Sequence, residues 1–164
     1  MAETDEVFME LEEDTQKGRH LTFTLGKEDY GIEIKYVTEI IGLQPITEVP
    51  DLPDYVRGVI NLRGKIIPVM DVRLRFRKEA RDYDDRTCII VVDISNILIG
   101  LIVDRVREVA TILEENISPP PNLGKSQHNK YIKGIGKINE DVKLLLDCDK
   151  LLNDEEVSLL ENVG

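Results

Sequence analysis

Two stretches of this chain are copies of one another, so its fold must build the same unit twice. Tyr55-Val56-Arg57-Gly58-Val59 returns as Tyr131-Ile132-Lys133-Gly134-Ile135, and at the same offset Asp71 falls on Asp147, each after an apolar stretch. Upstream, Gly31-Ile32-Glu33-Ile34 with Val37, Glu39 and Ile40 is answered by Gly100-Leu101-Ile102-Val103 with Val106, Glu108 and Val109. The copies part company at one turn, where Asn61-Leu62-Arg63-Gly64 faces Lys137-Ile138-Asn139-Glu140. A turn that departs from its twin is the natural place to look for a specialised role.

Local patterning makes the repeated unit β-rich. Leu21, Phe23 and Leu25 alternate with Thr22 and Thr24, and Gly26-Lys27-Glu28-Asp29 turns the chain into a return strand over residues 30–34. The second copy offers residues 88–94, a turn at Ser95-Asn96, and residues 97–103. Residues 56–62 and 65–72 form a further hairpin around Arg63-Gly64, in which Pro68 calls for an edge or a bulge because it has no amide to donate. Residues 36–41 fit a short helix or a strand equally well, and residues 46–49 read as a short strand closed by Pro50 and Pro53. The charged stretch 77–86 is the natural boundary between copies, and residues 118–129, with three consecutive prolines, form a long loop. Asn153 can cap a closing helix with Glu156 completing a capping box and Val157, Leu160 and Val163 as its apolar stripe.

Each copy thus holds about five short strands in roughly 65 residues, which suits a small closed barrel. One such barrel has a thin core, whereas two packed together share an additional apolar layer. That explains why the strands carry apolar residues on both faces. The expected organisation is an acidic disordered tail over residues 1–17, a first barrel mainly over 18–83, a second mainly over 84–152, and a helix over 153–164.

Composition narrows the function. The net charge of −11 argues against a general nucleic-acid binder. Much of the acidity lies in the tail, where Glu3, Asp5, Glu6, Glu10, Glu12, Glu13 and Asp14 face only Lys17. Cys88 and Cys148 sit in apolar contexts that read as buried, reduced thiols and fit the cytoplasm. There is no run long enough to cross a membrane. Gly124-Lys125-Ser126 ends like a phosphate-binding loop but has Pro119 where the motif needs glycine. Gly134-Ile135-Gly136 lacks the third glycine of a dinucleotide fingerprint, and the acidic run 82–85 lacks a calcium loop's turn glycine. His20 and His128 make no zinc set or nucleophile pair with the cysteines, so no cofactor and no metal are expected. A hydrolase built on scattered carboxylates has no supporting pattern. What remains is surface: Val37, Glu39, Gly58, Asn61, Arg63 and Gly64. Arg63, in a tight turn, is either a solvated cation or an anchor whose five donors suit an interface, and the break in the repeat favours the anchor.

The run Ile60-Asn61-Leu62-Arg63-Gly64-Lys65-Ile66-Ile67-Pro68-Val69-Met70-Asp71 closely resembles the signature of the CheW chemotaxis coupling proteins. The likeness extends over residues 18–163. It implies an all-β fold of two interlocked five-stranded SH3-like β-barrels sharing an apolar interface, with a short C-terminal helix. It also implies a non-catalytic adaptor that joins the regulatory domain of the CheA histidine kinase to the cytoplasmic tips of methyl-accepting chemoreceptors. By position, Arg63 matches the family's receptor-binding arginine, and Val37, Glu39 and Gly58 match residues implicated in receptor or kinase contact. Cys88, Val106 and Val109 match apolar receptor-binding positions on the second barrel, Cys88 standing where valine is common. The alternative is an unrelated SH3-like scaffold that binds another helical partner.

Overall fold

A computed structural model describes residues 17–120 and 130–163. The tail before Lys17, and the part of the proline-rich loop that holds Gly124-Lys125-Ser126 and His128, lie outside the described residues. The strands are β1 (Arg19–Leu25), β2 (Glu28–Glu33), β3 (Val37–Gly42), β4 (Val56–Leu62), β5 (Lys65–Asp71), β6 (Cys88–Ile94), β7 (Ile97–Val103), β8 (Arg105–Thr111), β9 (Ile117–Ser118), β10 (Ile132–Ile138) and β11 (Asp141–Leu146). Among the described residues there are two α-helices, α1 (Val72–Arg75) and α2 (Asp154–Glu161), besides short 3-10 turns. The three hairpins expected from alternation and turn chemistry are present, and β10 with β11 adds a fourth at the matching repeat position. The ambiguous stretch at 36–41 resolves into the end of a 3-10 turn (Ile34–Tyr36) followed by β3. Residues 46–49 contribute only a single bridge, Thr47 to Val59.

The sheets do not follow the halves of the sequence. One sheet has the order β3-β6-β7-β5-β4, and the other β8-β1-β2-β11-β10-β9. The first hairpin of each copy is therefore exchanged into the sheet that holds the second hairpin of the other copy. A boundary near residues 83 and 84 does not separate the two barrels, and the second sheet has six strands because the two-residue β9 is added. The exchange is made by two parallel pairs. β5 runs beside β7 with Val69 opposite Gly100, and β11 runs beside β2 with Leu145 opposite Gly31. These pairs occupy matching repeat positions. A Cβ on Gly100 would lie 2.8 Å from Val69 Cγ1 and 2.7 Å from Ile89 Cγ2, and one on Gly31 would lie 3.1 Å from Leu145 Cδ2. The missing side chains let the parallel strands close with their neighbours' methyls in the gap.

The conserved pattern within the repeat is structural in both copies. The Asp71 amide donates to the Tyr55 carbonyl and the Asp147 amide to the Tyr131 carbonyl, each at 2.8 Å. Each aspartate side chain then accepts from a backbone amide two residues on, Arg73 in one copy and Asp149 in the other. Pro68 is buried on β5 opposite Val59, at a point where pairing with β7 has not yet begun, so its missing amide leaves no gap in that ladder.

The core is layered. Ile60, Ile67, Val69, Ile89, Val91 and Ile102 pack together from one sheet alone. The alternate residues of its middle strands, Ile90, Val92, Ile94, Ile99, Leu101 and Val103, pack instead with Leu21, Phe23, Leu25, Tyr30 and Ile32 of the other sheet. This shared layer is why β6 is apolar on both faces. Each fully buried aliphatic in it contributes about 1.5–3 kcal/mol. Arg75 locks α2 to the barrels: its guanidinium is bidentate to Glu156, donates to the Leu151 carbonyl, and stacks over the Tyr55 and Tyr131 rings. Asn153 and Glu156 form the expected capping box, and Leu160 is buried. Cys148 is buried in the shared layer, but Cys88, at the open start of β6, is only half-buried.

Gly100→Ala is expected to lower stability by about 1–3 kcal/mol through overpacking at the parallel pair. Gly31→Ala, whose nearest neighbour is the end of a leucine, is expected to cost less. Chemical denaturation of the two variants tests the order, and equal costs would remove the parallel pairs from their assigned role.

Candidate partner-binding surface

The turn between β4 and β5 is a two-residue hairpin turn with Leu62 paired to Lys65. Arg63 (φ 51°) and Gly64 (φ 85°) both have positive φ, the geometry whose twist matches that of the flanking strands. Asn61 secures it, its Oδ1 accepting from the Gly64 amide at 2.9 Å. Asn61 and Gly64 thus build the turn, and Arg63 is what the turn displays, with a side chain 71% exposed. The matching position in the other barrel is Asn139, also at positive φ (56°). Asparagine takes that conformation with less strain than arginine does. Arg63 therefore occupies a position for which its backbone preference is the poorer one, which points to its side chain as the reason.

That side chain donates from Nη2 to Glu39 Oε1, forming an ion pair. Glu39 lies on β3 and the turn extends β4, and these are the two edge strands of the five-stranded sheet. The pair spans the seam along which the barrel closes. Glu108, the twin of Glu39, faces a barrel in which Asn139 replaces the arginine, so the pair has no counterpart at the matching positions. Mostly exposed, it adds only about 0–1 kcal/mol to stability. Its geometry leaves several guanidinium donors open to solvent.

Gly58 is placed differently from the other turn and strand residues. It is buried, at φ 145°, beside a register shift in β4. Thr47 and Val59 exchange backbone hydrogen bonds at 2.9 Å in each direction across this point. A Cβ on Gly58 would overlap the Thr47 carbonyl oxygen and lie 2.8 Å from its carbon. Gly58 is therefore a closure residue, not a surface contact. Gly134, its twin, does the same for β9, where a Cβ would lie 3.2 Å from the Ser118 carbonyl oxygen.

The apolar candidates converge on the shared layer. Val37, Cys88 and Val106 are half-buried and pack against it. On β8, Val106 is paired with Phe23 and Val109 with Leu21, so both valines lie on the face turned toward that layer. Val109 remains 41% exposed. Its repeat twin is Ile40 on β3, paired with Ile90 and 44% exposed. Ile40 is the residue that the sequence reading left out as a contact, although the same offset that relates Val37 to Val106 relates Ile40 to Val109. The edge strands β3 and β8 thus carry two equivalent apolar pairs, one inner and half-buried, one outer and exposed, with the Arg63–Glu39 pair on β3. Among the described residues no group of three or more His, Cys, Asp or Glu is arranged to hold a metal ion.

Gly58→Ala is expected to cost more than 3 kcal/mol, on the order of a severe core overlap. Gly64→Ala, with open space around its Cβ and only the positive φ against it, is expected to cost about 1 kcal/mol. Thermal unfolding of the two variants distinguishes a closure glycine from a turn glycine.

Comparison with known proteins agrees with this geometry. The CheW-like domain family model matches residues 19–156. The chain is 39% identical over 144 residues to the chemotaxis protein CheW of Klebsiella aerogenes, covering 88% of this chain and 87% of that protein. It is 33% identical over 143 residues to the chemotaxis protein CheW of Rhizobium meliloti, covering 87% and 92%. The crystal structure of the scaffolding protein TtCheW from Thermoanaerobacter tengcongensis superposes with a TM-score of 0.78 at 35% identity, covering 85% of this chain and 94% of that one. A duplicated, strand-exchanged pair of barrels carrying the Asn61-Leu62-Arg63-Gly64 turn belongs, with these relatives, to the CheW family of chemotaxis coupling adaptors.

Proposed function

We propose that this chain is a non-catalytic adaptor joining the cytoplasmic tips of methyl-accepting chemoreceptors to the regulatory domain of the CheA histidine kinase. The observation that supports the receptor half of this reading is the matched apolar pair that each of the edge strands β3 and β8 carries. Val37, Ile40, Val106 and Val109 offer an apolar surface beside a charged pair. An amphipathic helix can lay its apolar face on such a surface. Arg63 and Glu39 then fix its register through charge-assisted hydrogen bonds at the margin. Cys88, half-buried at the start of β6, supports the shape of this surface by packing.

Coupling requires that receptor and kinase be held at once, so the kinase domain is assigned to a separate surface at the opposite end, on the barrel built around β10 and β11. Recruitment to receptor arrays is the location this reading implies, and no described helix is long and apolar enough to cross a membrane. An unrelated SH3-like scaffold is not favoured, because the family match covers the turn as well as the barrels.

Arg63→Ala is expected to weaken binding to a receptor cytoplasmic fragment by about tenfold or more, the behaviour of an interface anchor. Kinase-domain binding should stay within about twofold, and stability within about 1 kcal/mol. Ile40→Ser and Val109→Ser should each weaken the same receptor interaction. Titration calorimetry with both partners measures these effects. Unchanged receptor affinity in all three variants would contradict the assignment of this surface, and a large stability loss in Arg63→Ala would return that residue to a structural role.

A further inference from the structure

The partner-binding surface leaves one large feature unexplained, a cavity of about 770 Å³ at the mouth of the six-stranded barrel. That volume lies within the usual range of ligand pockets. Its accessible apolar lining is Leu113, 53% exposed, with the half-buried Ile34 and Ile117, over the buried Ile112 and Leu145. Its rim carries Lys17, Arg19, Lys35 and Lys133 against Glu33 and Glu114. Lys35 and Lys133 both pair with the single carboxylate of Glu33, so positive charge predominates at the opening. In a chain of net charge −11 a basic rim over an apolar floor is a local inversion. It fits an occupant that is acidic and apolar together.

The chain carries a segment of that chemistry just before Lys17 in sequence. Val7, Phe8, Met9 and Leu11 are set among Glu6, Glu10, Glu12, Glu13 and Asp14, and the segment enters the fold at Lys17, itself a rim residue. Between Phe8 and Lys17 the extended chain reaches up to about 30 Å, well beyond the width of the opening. The tether also raises the local concentration of the segment to about the millimolar range. We propose that residues 7–11 of this chain dock back into the cavity, with their apolar side chains on Leu113, Ile34 and Ile117. The flanking carboxylates then meet the lysine and arginine rim. This places an acidic segment beside the start of β3, which Ile34 and Lys35 lead into, and the end of β8. The docking does not depend on the receptor assignment made above.

Methyl NMR on the full chain tests it. Contacts between the Phe8 ring and the methyls of Ile34, Leu113 and Ile117 are expected. In Phe8→Ser those methyl signals should shift while Ile89 and Val91, inside the other barrel, stay in place. Raising the salt to about 0.5 M, or Lys35→Glu, should reduce the Phe8-dependent shifts by about half or more, because exposed charges are then screened or reversed. Unchanged Ile34, Leu113 and Ile117 signals in Phe8→Ser would overturn the proposal. So would contacts that appear only as protein concentration rises, which would place another copy's segment in the cavity.

Discussion

The whole architecture turns on two close approaches between parallel strands, Val69 against Gly100 and Leu145 against Gly31. Parallel neighbours cannot be joined by a tight turn, so each of these pairs brings together strands from different copies of the repeat. At Gly100 a single added methyl would collide with both Val69 and Ile89. Because the approach closes, the first hairpin of each copy is carried across to the other barrel. That places β3 and β8, which follow those hairpins, at sheet edges, each paired with the exchanged hairpin of the other copy. The two barrels are thereby interlocked, and the shared apolar layer has no path along which they could separate without unpairing strands.

The same exchange builds the surface proposed above for the receptor. Edge strands are where a sheet can offer unspent apolar surface, and here the edges belong to equivalent positions of the repeat. Val37 answers Val106 and Ile40 answers Val109, so duplication supplies a matched apolar pair on each of β3 and β8. Duplication cannot supply direction, because a symmetric surface would accept a helix either way round. The asymmetric element is the turn at residues 61–64. Arg63 takes a left-handed backbone that its twin Asn139 adopts more readily, and reaches Glu39 across the closing seam of one barrel only.

Much of this was legible in the chain itself, for local reasons. Hairpins over 19–33, 56–71 and 88–103 follow from alternation and turn residues that act within a few positions, and the one over 132–146 sits at the matching repeat position. The capping box at Asn153 and Glu156 is equally local. Which hairpin joins which sheet is decided by contacts far apart in sequence, so a boundary between residues 83 and 84 was a reasonable expectation and does not divide the barrels. Gly58 could not be distinguished from a surface glycine, because the segment that crowds it, Thr47, approaches from another part of the chain. Ile40 was accessible through the repeat offset alone, but its exposure depends on β3 being an edge. Arg75 gave no local sign of its role, which needs Glu156 and two tyrosines brought together from distant positions.

The central claim is that this chain transmits receptor state to a kinase. Reconstitution measures it most directly, by following kinase autophosphorylation with receptor fragments present, with and without this protein. The account predicts receptor-dependent kinase activity only when the protein is included. Kinase activity that responds to receptor fragments equally well in its absence would contradict it.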